Sequence, residues 1–203
     1  MTRTGARTAL IACGAVARDV AALVEARGWS ADVHGISSDL HMTPLDIAPA
    51  VEEKIRRLLP DYERVIVVYG DCGTGGRLDE VLARYPAVRP AGAHCFQWYA
   101  GELFERFRDE IGIYFLTDWL VDNWERAVIK GLGLDRFPWL KDTYFQHLER
   151  ILYVRQHPDE LREVKAREIA AWIGRPLEVH DLGIRPLEAL IAPLLEEADG
   201  VRP

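Results

Sequence analysis

A run of β-branched residues that opens directly into a glycine-rich loop constrains the fold of this 203-residue chain most. Residues 63–69 place valine and isoleucine at consecutive positions, so both faces of the run are apolar, as in a central strand of a parallel sheet. The loop at 70–76 contains four glycines. A strand that is buried on both faces needs parallel neighbours, so the chain must contain further strands.

Strand-like and helix-like stretches alternate along the chain. The predicted strands are 8–13, 32–37, 63–69, 87–91, 112–116, 150–154 and 176–180, and the predicted helices are 16–27, 47–59, 78–85, 96–109, 158–173 and 186–197. This alternation predicts an α/β fold, a doubly wound three-layer mostly parallel sheet with helices on both faces. We expect a single domain over 1–203, with the tryptophan-rich segment 118–147 as a helical insertion.

Composition excludes several classes of function. The chain has 25 basic and 32 acidic residues, a net charge of -7, which disfavours binding to nucleic acid or to an anionic membrane surface. Residues 1–7 are polar and the apolar run after them is too short for a signal sequence or a membrane span, so we expect a cytoplasmic protein. Three cysteines are too few for a disulfide framework, and we interpret them as thiols or metal ligands.

All three cysteines fall where predicted strands end. Cys13 is the last residue of the first strand, Cys72 lies three residues beyond 63–69, and Cys95 follows 87–91. The carboxyl ends of parallel strands meet at one edge of a sheet, so we expect Cys13, Cys72 and Cys95 to converge there as metal ligands. The alternative for Cys13 is a small apolar residue that fills the core.

Two histidines and three glycines complete the candidate site. His41 and His94 follow predicted strands and are candidates for acid–base catalysis or for a fourth metal ligand. Gly73, Gly75 and Gly76 would allow the backbone to approach a bound cofactor or anion, although their spacing matches neither a Walker motif nor a dinucleotide fingerprint. The alternative readings are a solvated loop histidine and glycines needed only for a tight turn.

A series of short motifs gives the chain a resemblance to a known family. The motifs are Ala12 to Gly14, Leu40 with His41, Tyr69 to Gly75, His94 with Cys95, and residues 112–119. Together they resemble an uncharacterised domain family of bacteria and archaea, over roughly residues 8–119. The resemblance implies that the three cysteines form one recurring site, and some members of that family are associated with corrinoid-dependent methyl-transfer systems. The family usually has an aspartate where this chain has His94.

Three hypotheses for function remain open at this point. The first is a metalloenzyme or metal-dependent accessory in one-carbon or methyl transfer, with zinc as the metal, an iron–sulfur cluster as the alternative, and a small molecule or a partner protein as its target. The second is a metal-free enzyme in which Cys72 or Cys95 is the nucleophile and His41 or His94 its base. The third is a noncatalytic binding or metal-delivery module.

Overall fold

The computed structural model describes residues 8–196. Residues 1–7, where we expect no targeting signal, and Glu197, the predicted end of the last helix, lie outside the described residues. The described chain divides into two compact units, which we call unit 1 (residues 8–95 and 187–196) and unit 2 (residues 96–186). The predicted α/β fold is confirmed, because both units contain a parallel sheet with helices. The expectation of a single domain stays a prediction.

Unit 1 contains a parallel four-stranded sheet in the order β2-β1-β3-β4. Its strands are β1 (Thr8–Cys13), β2 (Ala31–Ile36), β3 (Arg64–Val68) and β4 (Ala87–Val88). The central strands β1 and β3 are almost completely buried, as their continuous apolar sequence predicts. In register, Ala12 lies opposite Gly35 on one side and Val68 on the other, so these three strands end at the same edge.

The helices of unit 1 connect these strands in chain order. They are α1 (Ala17–Arg27), α2 (Ile47–Leu58) and α3 (Arg77–Leu82), with two short 3-10 turns, Ser38–Met42 and Pro44–Asp46. A further helix, α4 (Cys95–Ala100), begins at Cys95, the last residue of the first segment of unit 1, and its other residues belong to unit 2. The first helix ends at Gly28, which adopts the left-handed conformation typical of a helix C-cap. The second presents Ile47, Val51 and Ile55 to the core at helical spacing.

The order of the strands creates a reversal between β1 and β3. The chain passes from β1 outward to β2 through α1, and then returns across β1 to reach β3 through α2. Because such crossovers are right-handed, α1 and α2 lie on opposite faces of the sheet. In open α/β sheets the crevice for a ligand lies beyond the carboxyl ends of the two strands at such a reversal. The carboxyl ends of β1 and β3 are therefore the favoured place for a site in unit 1.

Unit 2 contains a parallel three-stranded sheet in the order β5-β6-β7, which has no reversal. The strands are β5 (Ile113–Thr117), β6 (Arg150–Arg155) and β7 (Leu177–Asp181). The helices are α5 (Glu102–Arg106), α6 (Asp118–Asp122), a π-helix (Glu125–Lys130), α7 (Leu140–Phe145) and α8 (Glu160–Ile173). Segment 118–147, predicted to be a helical insertion, forms the connection from β5 to β6. Its Trp124 and Phe145 pack in the core of the unit.

The closing helix α9 (Arg185–Glu196) belongs to unit 1 from Leu187 onward. Its residues Leu187, Ile191 and Leu195 are buried at helical spacing. The guanidinium of Arg64, the first residue of β3, donates a hydrogen bond of 2.9 Å to the carbonyl of Leu194. Unit 1 is therefore built from two segments of chain that are separated by the whole of unit 2.

Helix length bears on the expectation that the protein does not enter a membrane. The longest helix within residues 8–196 is α8, with 14 residues. A helix that spans a bilayer needs about 20 apolar residues. Across this part of the chain, no helix has both the length and the apolar composition for a crossing.

Candidate active site at the carboxyl edge of unit 1

The three cysteines lie in unit 1, in three separate segments of chain. Cys13 is the buried last residue of β1, Cys72 lies in the loop that follows β3, and Cys95 is the first residue of α4. Cys13 and Cys72 therefore stand on the two sides of the strand-order reversal. All three are free of disulfide bonds.

The hydroxyl group of Tyr69 interacts with all three thiols, through a hydrogen bond with Cys13 and through electrostatics with Cys72 and Cys95. Tyr69 directly follows β3 and its side chain is completely buried, at 0% exposure. Burial raises its pKa, and the nearby charges of Cys13, Cys72 and Cys95 raise it further, so the phenol keeps its proton. That proton is donated to the sulfur of Cys13. One buried hydrogen-bond donor thus lies within electrostatic range of all three thiols.

Backbone amides also donate to the sulfur atoms. The amide of Ala15 lies 3.4 Å from Sγ of Cys13, and the amide of Gly70 donates to Sγ of Cys72. These contacts favour the thiolate, but burial has the larger effect and raises the pKa of Cys13, and it raises the pKa of Cys72 from 9.0 to about 12. At neutral pH the two groups are therefore thiols. Both sulfurs have donors that favour a thiolate, and the positive charge of Arg89 also favours the thiolate of Cys72, but burial outweighs these effects.

Cys72 occupies a strained backbone conformation. With φ of 47° it is the one non-glycine residue with positive φ among residues 8–196. A side chain in this left-handed region costs about 1–2 kcal/mol, and such strain is concentrated at functional sites. The strain is held by the carboxylate of Asp71, which accepts hydrogen bonds from the Thr74 hydroxyl at 2.5 Å and from the amides of Gly75 at 3.1 Å and Gly76 at 2.9 Å.

This arrangement changes the part that the loop glycines play. Gly73, Gly75 and Gly76, predicted to bind a cofactor, all have positive φ. The amides of Gly75 and Gly76 donate to Asp71, and Gly73 packs against the Pro44 ring, where an added Cβ would lie at 3.3 Å. The glycines therefore shape the loop that presents Cys72, and two of their three amides are already used within it.

The loop that carries Cys72 is fastened to the segment that leads to Cys95. The amide of Cys72 donates to the carbonyl of Ala93 at 2.8 Å. Gly70 allows the close approach, since a Cβ there would lie 2.7 Å from both the Ala93 carbonyl oxygen and the Cα of His94. Arg89 secures the same segment, because it pairs with Asp79 at 2.6 Å and donates to the carbonyl of Gly92 at 3.1 Å.

The two candidate histidines also lie in unit 1. Nδ1 of His41 lies 2.8 Å from the carbonyl oxygen of Ser38, and because a carbonyl only accepts, Nδ1 carries the proton and Nε2 keeps its lone pair. The imidazole stacks on the Tyr69 ring, with 5.6 Å between ring centroids. His94 is half-buried, and burial lowers its pKa. The side chain of His94 is therefore suited to act as a neutral imidazole.

The side chains of the described residues do not form a metal site as they stand. Across residues 8–196, no group of three or more cysteine, histidine, aspartate or glutamate side chains has the geometry to hold a metal ion as it stands. The three thiols interact with the Tyr69 hydroxyl without occupying ligand positions around one point. The predicted zinc ion, and its iron–sulfur alternative, therefore stay predictions.

Comparison with known proteins identifies the family. The family model described as "Protein of unknown function (DUF1638)" matches residues 36–191, which is more than half of the chain. The chain belongs to the DUF1638 family. This agrees with the resemblance to an uncharacterised domain family. The DUF1638 match includes His41, Cys72 and Cys95 and begins after Cys13. No curated protein matches the chain.

The structure of this DUF1638 protein adds three residues that sequence reasoning missed. Tyr69 reads as the last residue of an apolar strand, Asp71 as a loop acid, and Arg89 as a surface charge. The position of Tyr69 between the strand and the glycine loop was a usable signal, since a residue there lies at the sheet edge. Asp71 and Arg89 act through contacts 3 to 10 residues away, which no local pattern reveals.

Proposed function

We propose that unit 1 binds a soft metal ion, with zinc as the first choice, through Cys13, Cys72 and Cys95. The observation that carries the proposal is that thiols from three separate segments of chain all interact electrostatically with the Tyr69 hydroxyl, beside the reversal between β1 and β3. Thiolates are the ligands that zinc and iron–sulfur clusters prefer. An iron–sulfur cluster held by the same three cysteines is the alternative cofactor.

The hydrogen bonds to sulfur support this assignment. Cys13 accepts from the Ala15 amide and the Tyr69 hydroxyl, and Cys72 accepts from the Gly70 amide. A neutral thiol is a weak acceptor, whereas a metal-bound thiolate is a strong one, and donors of this kind tune metal–thiolate centres. A bound cation supplies the positive charge that would stabilise these buried sulfurs as thiolates.

Binding requires that the side chains move, since no ligand set is formed in advance in the described part of the chain. Turning a cysteine side chain away from its preferred rotamer costs about 0.5–1.5 kcal/mol. The apparent free energy of zinc binding to thiolate-rich structural sites is about 10–16 kcal/mol. The cost of reorienting three side chains is therefore small beside the gain from coordination.

His41 is our choice for the fourth ligand. A metal-ligating histidine usually donates its second ring N–H to a carbonyl or carboxylate, which fixes the tautomer. His41 makes this contact with Ser38 through Nδ1 and keeps Nε2 for a ligand. His94, the other candidate, is proposed to move protons at the same edge, because its lowered pKa keeps the imidazole unprotonated and so able to accept a proton.

The reaction class follows from the chemistry of such a site. Zinc held by thiolates binds a substrate thiol and lowers its pKa, which makes it a nucleophile at neutral pH. Together with the resemblance to a family with corrinoid-linked members, this leads us to propose methyl transfer or other one-carbon chemistry, on a small molecule or a partner protein. Supplying methylcobalamin and a thiol to the zinc-loaded protein, and following loss of the cobalamin methyl group, tests this part.

The metal-free nucleophile is the weaker alternative. A nucleophilic cysteine needs a lowered pKa, as beside a cation or at the N-terminus of a helix. Burial instead raises the pKa of Cys72, one of the two candidate nucleophiles, to about 12. At pH 7 only about one Cys72 in 100,000 is then a thiolate.

Metal analysis tests the proposal directly. Protein purified without a metal-chelating tag and under exclusion of oxygen is expected to contain about one equivalent of zinc. Competition with a chromophoric chelator should show that Cys13→Ser, Cys72→Ser and Cys95→Ser each weaken zinc binding by more than about 100-fold, which exceeds the 10–100-fold effect of outer-shell changes. Tyr69→Phe should weaken zinc binding by about 10–100-fold, as expected for an outer-shell change.

A matched control removes a histidine from elsewhere in unit 1. His34→Gln changes a β2 residue that contacts the Tyr62 hydroxyl at 3.2 Å, and it should leave zinc affinity unchanged. If the purified protein contained iron and acid-labile sulfide instead of zinc, the cofactor would be the iron–sulfur cluster. Protein that binds neither metal, and in which one cysteine alone reacts rapidly with iodoacetamide, would overturn the proposal in favour of the nucleophile.

A further inference from the structure

Unit 2 contains a cavity that the thiol site does not use. Its volume is about 590 Å³, within the range of about 300–1,000 Å³ that is usual for small-molecule sites. The residues that line it include Trp124, Ile129, Leu134, Lys141, Ile169 and Trp172. All of its lining residues belong to unit 2. Substitutions at this cavity and substitutions at the cysteines are therefore made in different units, and their effects on binding can be measured separately.

The floor of the cavity is apolar and firmly packed. Leu134 and Ile169 are 4% exposed, and Trp124 is 8% exposed. The Trp124 ring meets the Trp172 ring edge to face at 5.9 Å, and both contact Phe145, at 6.3 Å and 5.7 Å. Interlocked aromatic rings of this kind give a rigid surface against which a flat apolar molecule can pack.

One wall of the cavity has an uncommon backbone conformation. Residues Glu125–Lys130 form a π-helix, in which the Gly131 amide bonds to the Arg126 carbonyl five residues earlier at 3.1 Å. π-helical turns are rare and frequently occur at functional sites. Glu125 and Ile129 of this helix line the cavity. The π-helix is thus a second observation, independent of the volume, that points to a ligand.

Lys141 is a half-buried, positively charged residue that lines the cavity. Its Nζ lies 4.8 Å from the centre of the Trp172 ring, a cation–π contact that fixes its position. The other charged lining residues, Asp122, Glu125, Lys165 and Glu168, are exposed at the rim, and Asp122 is already paired with Arg162 at 3.1 Å. An exposed charge is screened by water, whereas a half-buried one acts at a lower effective dielectric.

We propose that this cavity binds a small organic anion with a flat apolar body. The body packs against the floor formed by Trp124, Leu134 and Ile169, and the anionic group is held by the ammonium of Lys141. Trp172 is a positioning residue, because it holds Lys141 through its ring face. The ligand class is that of aromatic carboxylates, sulfonates or phosphates.

Two dyes of opposite charge test the proposal on the full chain. The anion 8-anilinonaphthalene-1-sulfonate is expected to bind saturably with about one site, and more tightly than the flat cation thioflavin T. Lys141→Gln should weaken binding of the sulfonate by about tenfold or more, as expected for loss of a charge-assisted contact. Trp172→Leu should weaken it too, through the loss of the position of Lys141.

Two control variants separate the cavity from other surfaces. Lys130→Gln removes an exposed lysine from the π-helix that does not line the cavity, and Trp139→Ser removes a tryptophan that is 67% exposed and also lies outside it. Both should leave the affinity within about twofold, and the urea midpoint of Lys141→Gln should match that of the wild type. Equal affinity in Lys141→Gln, a preference for thioflavin T, or the absence of a saturable site would each overturn the proposal.

Discussion

The two parallel sheets present polar groups at their carboxyl edges in different ways. In unit 2 the buried carboxylate of Asp118, just after β5, accepts hydrogen bonds from the Tyr153 hydroxyl at 2.7 Å, the His157 amide at 2.8 Å and the Arg162 guanidinium at 3.2 Å. In unit 1 the thiol of Cys13 is buried and those of Cys72 and Cys95 are partly buried, desolvation raises the pKa of Cys13 and Cys72, and Cys72 is strained. One edge pairs its buried charge with several donors, whereas the other holds two thiols whose ionised form burial disfavours.

The largest effect should come from removing the centre of the unit 2 network. Asp118→Ala leaves Arg162 and three further donors without their shared acceptor, and breaking a buried ion pair in this way costs about 3–5 kcal/mol. Urea denaturation measures the loss. Asp122→Ala removes the more exposed partner of the same arginine and should cost less than about 1 kcal/mol. Unchanged stability in Asp118→Ala would end the contrast between the two edges, because that edge would then also hold groups kept for function.

The close approach of two loops in unit 1 is the next test. Gly70→Ala places a Cβ 2.7 Å from backbone atoms of residues 93 and 94, so the segment that leads to Cys95 must shift. We expect a loss of about 1–3 kcal/mol, as for overpacking, and weaker zinc binding. Gly35→Ala is the matched control, since its Cβ meets nothing within 4 Å. Equal effects of the two substitutions would show that the loops are not held together at Gly70.

Stability against pH sharpens the comparison further. Burial raises the pKa of Cys72 from 9.0 to about 12, so the folded protein holds this proton more tightly than the unfolded chain. The resulting stabilisation is fully present below pH 9 and is lost as the pH rises toward 12. Between pH 9 and pH 10.5 the free energy of unfolding of metal-free wild type should fall by about 1.5 kcal/mol more than that of Cys72→Ala. Parallel urea curves for the two proteins would contradict the burial of this thiol.

The smallest expected difference concerns strain at the same residue. Glycine adopts positive φ without the steric cost of a Cβ, so metal-free Cys72→Gly should be more stable than Cys72→Ala by about 1 kcal/mol. Both variants lack the thiol, and the comparison therefore isolates the backbone term. Thermal unfolding of the pair measures it. If alanine proved as stable as glycine, Cys72 would not be strained, and the loop would lose one of its marks as a functional edge.

The sequence predicted the elements well where local pattern decides them. The continuous apolar runs at 8–13 and 63–69 became β1 and β3, because a strand buried on both faces has few other solutions. Placement of Cys13 and Cys72 at strand ends followed from the same runs, whereas Cys95 begins a helix seven residues after β4 ends. The predicted helix at 96–109 instead divides into α4 and α5 at Gly101, whose φ of 53° interrupts a helix.

Partner choice between distant strands was not predictable from one sequence. The strands form two sheets, although each reads alone as a strand of one larger sheet, because pairing depends on contacts far apart in the chain. The π-helix at Glu125–Lys130 was also missed, since its residues show an ordinary helical pattern. Tyr69 was missed because what gives it a role is its interaction with thiols from three segments of chain, and that exists only in the folded chain.

The two-segment construction of unit 1 has a consequence for synthesis on the ribosome. Residues 187–196, which supply buried Leu187, Ile191 and Leu195, are made only after the roughly 90 residues of unit 2. At about 5–20 residues per second this delay lasts roughly 5 to 20 seconds. During that interval the sheet of unit 1 lacks the helix that buries Leu187, Ile191 and Leu195, so the apolar surface that these side chains cover stays exposed to solvent and to other nascent chains.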